Sequence, residues 1–501
     1  MCGIVAIHRP NSSVLSENDL DRGRSMLSRL DHRGPDDRGY RVAGRTFLGH
    51  TRLAIVDLAD GRQPMPAGAE HWLVANGEIY NHGELRSELD HPFRTRSDSE
   101  AIGALLLAEG VPGIARLWGM YAFVVAGPRL GLVAARDELG IKPLYWARVD
   151  GTVQFASELR AFDADVRPAV AEFPPGHAWS EATGLVRVRP RVAEPPVPAD
   201  RAAARTLIRE RLITAVRRRL MADTPVGVFL SGGLDSSLVA AVMARYADPR
   251  HGPVRSFAIG TADSPDLAAA RRVAEHLGLE HTERVYDADE ALAALPRVVA
   301  SIESYEPSLV RSAIPNYLLA ETTARSVKVV LTGEGADELF AGYDHLRALD
   351  HDQLGAELRR SVRGLHNLNL QRCDRVTMAF GLEARVPFLD LDLVALAERI
   401  PVAWRLPGRL GQEKALLREA FQGWLPDDVL WRVKEQFGDG SGMAGLVRSH
   451  LPALGAPEDW DRHRVDGLRP PRSREELAYQ LIFADTLAGV SGDVLGRFAT
   501  A

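Results

Sequence analysis

Cysteine is almost missing from this chain: Cys2 and Cys373 are the only two in 501 residues. Two thiols cannot build a disulfide framework, and neither has a second cysteine or a histidine at zinc-ligand spacing. Such usage fits a reducing compartment, so the expected location is the cytoplasm. Long apolar runs are missing too. None reaches the ~18 residues needed to cross a bilayer, so no membrane partner is expected. The opening segment, Met-Cys-Gly-Ile-Val-Ala-Ile-His-Arg-Pro, lacks the basic-then-apolar layout of a secretion signal. A basic excess is also absent: Lys and Arg total 61 against 67 Asp and Glu, a net charge of −6. Nucleic acid is therefore not an expected partner. What is present, 46% hydrophobic and 26% charged residues, is the mix of folded soluble domains. At roughly 150 residues per domain the length suggests two or three of them.

The texture changes once along the chain. Up to about residue 188, short apolar runs alternate with Gly, Pro, Asn and Asp. Gly3–Ile7, Arg52–Val56, Trp72–Ala75 and Tyr121–Val125 read as strands. Leu85–Leu89 and Ser99–Glu109 carry helical spacing, the latter with Ser97 or Asp98 as N-cap. Residues 189–200 contain four prolines and read as an extended linker. From 201 onward strands and helices alternate: Val226–Leu230, a helix over Ser236–Tyr246, Ser256–Ile259, a helix over Leu267–Leu277, then Val327–Leu331. That alternation implies parallel βαβ units, with ligands at the carboxyl ends of the strands. Beyond about residue 345 the pattern is mostly helical. The expected architecture is α/β in two domains, 2–188 and 201–501.

Two places carry chemistry. If the initiator Met is removed, Cys2 becomes the first residue, and its thiol lies beside its own α-amine. That amine has an unperturbed pKa near 8 and can serve as general base for the thiol. The second place is Ser231-Gly-Gly-Leu-Asp-Ser-Ser237, set between a predicted strand and a predicted helix. Its glycines let backbone N–H groups approach an anion, Ser236 and Ser237 add hydroxyls, and the helix N-terminus adds positive potential. Asp235 in an anion-binding loop implies a bridging Mg²⁺. The Gly-Lys-Ser/Thr ending of a Walker A loop is missing.

Around Cys2 the segments His32-Arg-Gly-Pro-Asp36, Leu48-Gly-His-Thr-Arg-Leu53, Ala75-Asn-Gly-Glu-Ile-Tyr-Asn81, Ser97-Asp-Ser-Glu100, Ala135–Tyr145 and Phe155-Ala-Ser-Glu158 follow in order. Together they resemble the glutaminase domain of class II glutamine amidotransferases. The resemblance implies an N-terminal-nucleophile αββα sandwich in which Cys2 attacks the glutamine amide. Asn76 and the Gly77 N–H would form the oxyanion hole, Arg52 would pair with the α-carboxylate, and Glu78 and Asp98 would hold the α-ammonium.

The Ser231–Ser237 string resembles the pyrophosphate loop of the ATP pyrophosphatase superfamily, with Ser231, Gly232, Gly233, Asp235, Ser236 and Ser237 as the ATP-binding residues. Leu331-Thr-Gly-Glu-Gly-Ala-Asp-Glu338, Gly381–Asp390, Glu413–Arg418 and Trp431–Gly440 extend the match to the asparagine synthetase branch of that superfamily. The resemblance makes Asp235 and Asp337 the Mg²⁺ ligands. It makes Glu334 an acid at the acyl-adenylate and Lys414 the cation on the departing pyrophosphate. Arg311 falls in the acceptor-binding segment, where a hydroxyl residue of the family pattern is replaced by Leu309.

The implied activity is ATP-dependent transfer of glutamine nitrogen to an adenylated carboxylate, first of all aspartate to asparagine. A different carboxylate of specialised metabolism is the alternative acceptor. A ring-closing β-lactam synthetase is disfavoured by the complete glutaminase residues, and a catalytically silent binding protein by two complete sites. Small-molecule substrates are the expected partners, and a homodimer is one open arrangement.

Overall fold

The computed structural model describes residues 2–10, 14–68, 70–406, 411–433 and 454–498. The first half is built on two six-stranded antiparallel sheets. In one, the order is Ala171–Glu172, Tyr145–Val149, Thr152–Ala156, Gly3–His8, Thr46–Arg52, Asp37–Ala43. In the other it is Gly184–Arg187, His177–Ser180, Gly131–Arg136, Gly119–Gly127, Trp72–Ile79, Met65–Pro66.

The period-2 alternation of the strands produces the layering. Ile4, Ala6, Leu48, Val74, Ala122, Val124, Ala134 and Phe155 share one cluster between the sheets. The alternate residues point outward to helices. Val5 and Ile7 meet Met26 and Leu27 of the helix Glu17–Ser28, which a Ser16–Asp19 capping box starts. Leu73, Ala75, Phe123 and Val125 meet Ala101, Ile102 and Leu105 of the helix Glu100–Glu109. Helix, sheet, sheet and helix therefore stack in the αββα order.

Two local expectations fail. Arg52–Val56 is not a strand; the strand runs Thr46–Arg52 and ends where Arg52 turns its guanidinium onto the loop that follows. Neither Ser97 nor Asp98 caps the helix Glu100–Glu109, whose N-cap is Ser99. Asp98 instead accepts the Ile79 N–H at 2.6 Å, a bond to a neighbouring strand that sequence spacing does not reveal.

The strand Gly184–Arg187 is followed by the helix Arg201–Arg218, N-capped by Asp200. The second half carries a parallel sheet ordered Glu280–Val285, Arg255–Gly260, Val226–Phe229, Val329–Leu331, Glu383–Arg385. Two of these strands escaped the sequence reading. Glu-His-Thr-Glu-Arg-Val is polar because it is an edge strand, paired on one side. Glu383–Arg385 is three residues inside a helical stretch. The chain leaves the central strand Val226–Phe229 toward one edge and returns beside it as Val329–Leu331. That reversal is a topological switch point, where open α/β sheets bind ligands.

The two halves share a core. Val5, Ile7, Leu27 and Phe162 of the first pack in one cluster with Val298, Leu309, Ile314 and Tyr479 of the second.

Candidate active sites

Cys2 sits at the start of the strand Gly3–His8 and is buried. Its N–H donates to Asn76 Oδ1 at 3.0 Å, and its carbonyl accepts Arg33 Nε at 3.0 Å. With Oδ1 engaged, Asn76 Nδ2 is buried and has no hydrogen-bond partner among the described residues. A desolvated donor without an acceptor is costly unless a ligand oxygen completes it. Gly77 follows with φ +145°, and a Cβ there would lie 1.9 Å from Met120 O. Only glycine fits, because the neighbouring strand Gly119–Gly127 comes so close. Burial pushes the Cys2 thiol up, so a base is needed to ionise it. His50, on the adjacent strand, cannot supply one: burial pushes its pKa down to about 3, and its Nε2 bonds Ala75 O at 3.1 Å.

Arg52 lies at the end of the strand beside Gly3–His8 and is held by three carbonyls: Asp57 O at 2.6 Å, Leu58 O at 3.2 Å and Val56 O at 3.4 Å. Burial pushes the Asp98 carboxyl up to about 6 even though it accepts the Ile79 N–H. Glu78 is also raised by burial, with Glu383 adding to it, and lies 3.2 Å from Arg385 Nη2. Arg385 also pairs with Glu383 at 2.5 Å and donates to Arg219 O and Met221 O. The strand Glu383–Arg385 of the second half thus braces Glu78 of the first.

The second site forms at the switch point. The Ser231–Ser237 loop leaves the strand Val226–Phe229 and enters the helix Leu234–Tyr246, with Gly233 as N-cap. Gly232 has φ +72°, and a Cβ there would press on Ala269 and Ala270 of the next helix at 2.6 Å. Ser231 Oγ lies 3.1 Å from Ser236 Oγ and accepts the Gly233 N–H at 3.3 Å. Ser237 Oγ is buried without a hydrogen-bond partner among the described residues. The loop after Val329–Leu331 packs against it, since a Cβ at Gly333 would lie 2.8 Å from Asp235 Cβ.

Lys414 joins these loops. Its ammonium is buried, 2.7 Å from Asp337 Oδ1 and hydrogen-bonded to Asp235 Oδ2. Its own φ is +53°, a strained conformation for a lysine. The two carboxylates already converge on one cation, and their oxygens suit a hard divalent ion, so the pair fits Mg²⁺. Glu334 is ion-paired to Arg372 Nη2. Glu338 is pushed up to about 7 by burial and by Asp337, and accepts Tyr343 Oη at 2.6 Å.

Arg311, the acceptor-segment residue, pairs with Glu475. Its Nη1 lies 3.0 and 2.9 Å from the two oxygens of Glu475. Leu309 is in the shared core, 1% exposed, so the hydroxyl it replaces is not missing from a polar surface. Of the Trp431–Gly440 match, residues 434–440 lie outside the described residues.

Sequence reasoning named His32–Asp36 and Phe155–Glu158 but gave their residues no role. Fully buried Arg33 donates to Glu158 Oε1 at 2.6 Å and to Asp374 at 2.8 and 3.2 Å. Arg375 pairs with Glu303 at 3.3 Å, and Glu303 accepts the Leu159 and Arg160 N–H groups. The charged run Gln371-Arg-Cys-Asp-Arg375, which the sequence reading passed over, is the signal that could have found them.

Comparison with known proteins fits this geometry. The asparagine synthase family model matches residues 207–356 and 347–487, and the glutamine amidotransferase domain model matches 1–173. Glutamine-hydrolysing asparagine synthetase of Asparagus officinalis is 38% identical over 509 residues, covering 96% of this chain and 85% of that protein. That of Sandersonia aurantiaca is 38% identical, covering 96% of both. That of Zea mays is 40% identical over 468 residues, covering 88% and 78%. With both domain models matched in order and relatives this similar along nearly the whole length, the chain belongs to the glutamine-hydrolysing asparagine synthetase family.

Proposed function

We propose that Cys2 hydrolyses glutamine and that the ammonia passes inside the protein to the site at Asp235, Glu334, Asp337 and Lys414. There an aspartate β-carboxylate, activated by ATP, becomes the amide of asparagine. The observation that carries this reading is Asn76. Its carbonyl oxygen is tied to the backbone of Cys2, and its Nδ2 is buried with no acceptor among the described residues. Nδ2 and, one residue on, the Gly77 N–H are two donors suited to the oxyanion of a tetrahedral intermediate.

The Cys2 amine, freed by loss of Met1, takes the thiol proton and passes it to the departing ammonia. The thioester is then hydrolysed to glutamate. Arg52, Asp98 and Glu78 select a free α-amino acid. At the second site the carboxylate displaces pyrophosphate from ATP, because a carboxylate is a poor electrophile and a mixed anhydride a good one. Ser231, Gly232, Gly233, Ser236 and Ser237 bind the phosphates through hydroxyls and backbone N–H groups. Asp235 and Asp337 would hold Mg²⁺, which would neutralise phosphate charge. Lys414 stabilises the departing pyrophosphate, and Glu334 takes a proton from ammonia as AMP leaves.

Mass spectrometry of products from ATP, Mg²⁺, glutamine and aspartate tests this. Asparagine, glutamate and AMP in equal amounts are expected. Glutamate without asparagine would remove aspartate as acceptor.

A further inference from the structure

If the acceptor is aspartate, on the reading above, one carboxylate is activated and the other must be held by a fixed cation. Arg311 is the residue that sequence resemblance offers, yet the fold uses it elsewhere. Its Nη1 reaches both oxygens of Glu475, and Glu475 also accepts Tyr479 Oη at 3.0 Å. Beside it Arg472 bridges Glu306 at 2.5 Å and Glu476 at 3.1 Å. These pairs lash the helix Pro307–Thr323 to the helix Arg474–Leu487. Arg311 belongs to that clamp.

Arg372 is placed differently. It projects from the helix Asn369–Met378, between the acceptor segment and the catalytic loop. Nη1 donates to Ser312 Oγ at 2.7 Å, and Nη2 pairs with Glu334 Oε1. Its Nε is buried and has no hydrogen-bond partner among the described residues. The two Nη contacts fix the plane of the fork and leave a desolvated N–H beside the acid that serves the acyl carbon. A planar guanidinium held this way is a carboxylate receptor. We propose that Arg372, rather than Arg311, binds the acceptor's unactivated carboxylate and thereby selects acceptors that carry one next to the ammonium.

The test uses the full-length enzyme with ammonia as nitrogen source, so that glutamine hydrolysis does not enter. Arg372→Gln should raise the aspartate KM on the order of 10- to 100-fold, the worth of a hydrogen bond to a charged group. The KM values for ATP and ammonia should stay within about 2-fold, a split that a merely structural role would not produce. 3-Aminopropanoate, which is aspartate without that carboxylate, should be a much weaker competitor than aspartate for the wild type. In Arg372→Gln the two should converge, with partial recovery in Arg372→Lys. Arg311→Gln should lower Tm and leave the wild-type preference intact. Retained glutaminase activity reports that each variant is folded. If Arg372→Gln does not fold, Arg372→Lys alone decides: an unchanged preference overturns the proposal. Equal loss in all KM values, or collapse of the preference in Arg311→Gln, also overturns it. A wild type that amidates no aspartate overturns the acceptor reading as well, and so is told apart from failure at Arg372.

Discussion

On the proposed reading, Cys2, Asn76 and Asp98 divide the glutamine chemistry among a nucleophile, a donor and an anion. Cys2→Ala removes the nucleophile and leaves the second site untouched. It should abolish glutamine-dependent synthesis while sparing ammonia-dependent synthesis, both followed by product mass spectrometry. Asn76→Ala removes one oxyanion donor and should lower kcat for glutamine hydrolysis about 10²- to 10³-fold. Asp98 sets a pH limit. Its carboxyl is raised to about 6, so it is neutral below that pH and cannot hold an ammonium. The Cys2 amine already lowers kcat/KM for glutamine as pH falls below about 8, so Asp98 should add a further fall of about ten-fold per unit below pH 6, and ammonia-dependent synthesis measured in parallel should share neither limb.

At the scale of elements, each site lies where a strand ends or two strands crowd. Gly77 is squeezed between its own strand and Met120 O, so Gly77→Ala must push the pair apart or twist the backbone. Loss of glutaminase activity is expected together with about 1–3 kcal/mol of stability, read by denaturant unfolding. The Ser231–Ser237 loop and the Thr332–Glu338 loop meet because their strands are parallel neighbours, Val228 opposite Leu331. Lys414 arrives from a distant segment and links them. Lys414→Met leaves Asp235 and Asp337 facing each other without that cation. ATP–pyrophosphate exchange in the presence of aspartate should drop about 10²- to 10³-fold, while glutamine hydrolysis continues.

Across the whole molecule the two chemistries are joined by buried charge. Arg33 touches Cys2 O, Glu158 and Asp374, and Asp374 shares its helix with Arg372 at Glu334. A buried pair adds little net stability, but removing one partner costs about 3–5 kcal/mol because the other is left uncompensated. Asp374→Asn should therefore lower Tm and also weaken glutamine hydrolysis, since Arg33 holds the carbonyl of the nucleophile. Glu158 and Asp374 are buried, which by itself raises them. His32, Arg375 and Arg33 outweigh this for Glu158, and Arg33, Lys142 and Arg375 for Asp374, so both carboxyls end below their ordinary range. Such groups stabilise the fold above the unfolded carboxylate pKa of about 4 and lose that contribution as pH falls through the folded values. Acid unfolding should accordingly begin below about pH 4, and Tm measured against pH would show it.

Local chemistry was legible in the sequence. The short apolar strands, the Ser-Gly-Gly-Leu-Asp-Ser-Ser turn and the Cys at position 2 were readable from residue types and short spacings, which fix backbone conformation and nearby donors. The three-residue strand Glu383–Arg385 and the end of Thr46–Arg52 were not legible, because pairing with distant strands outweighs local preference. The same holds for the charges. Arg33 and Asp374 are 341 positions apart, and nothing in either neighbourhood announces the other. Arg311 and Arg372 are both plain arginines in the chain. Their partners separate only when folding sets Glu475 against one and Ser312 and Glu334 against the other. The task of an ionic side chain depends on which opposite charges the fold brings within a few ångströms of it, and that is decided by tertiary packing.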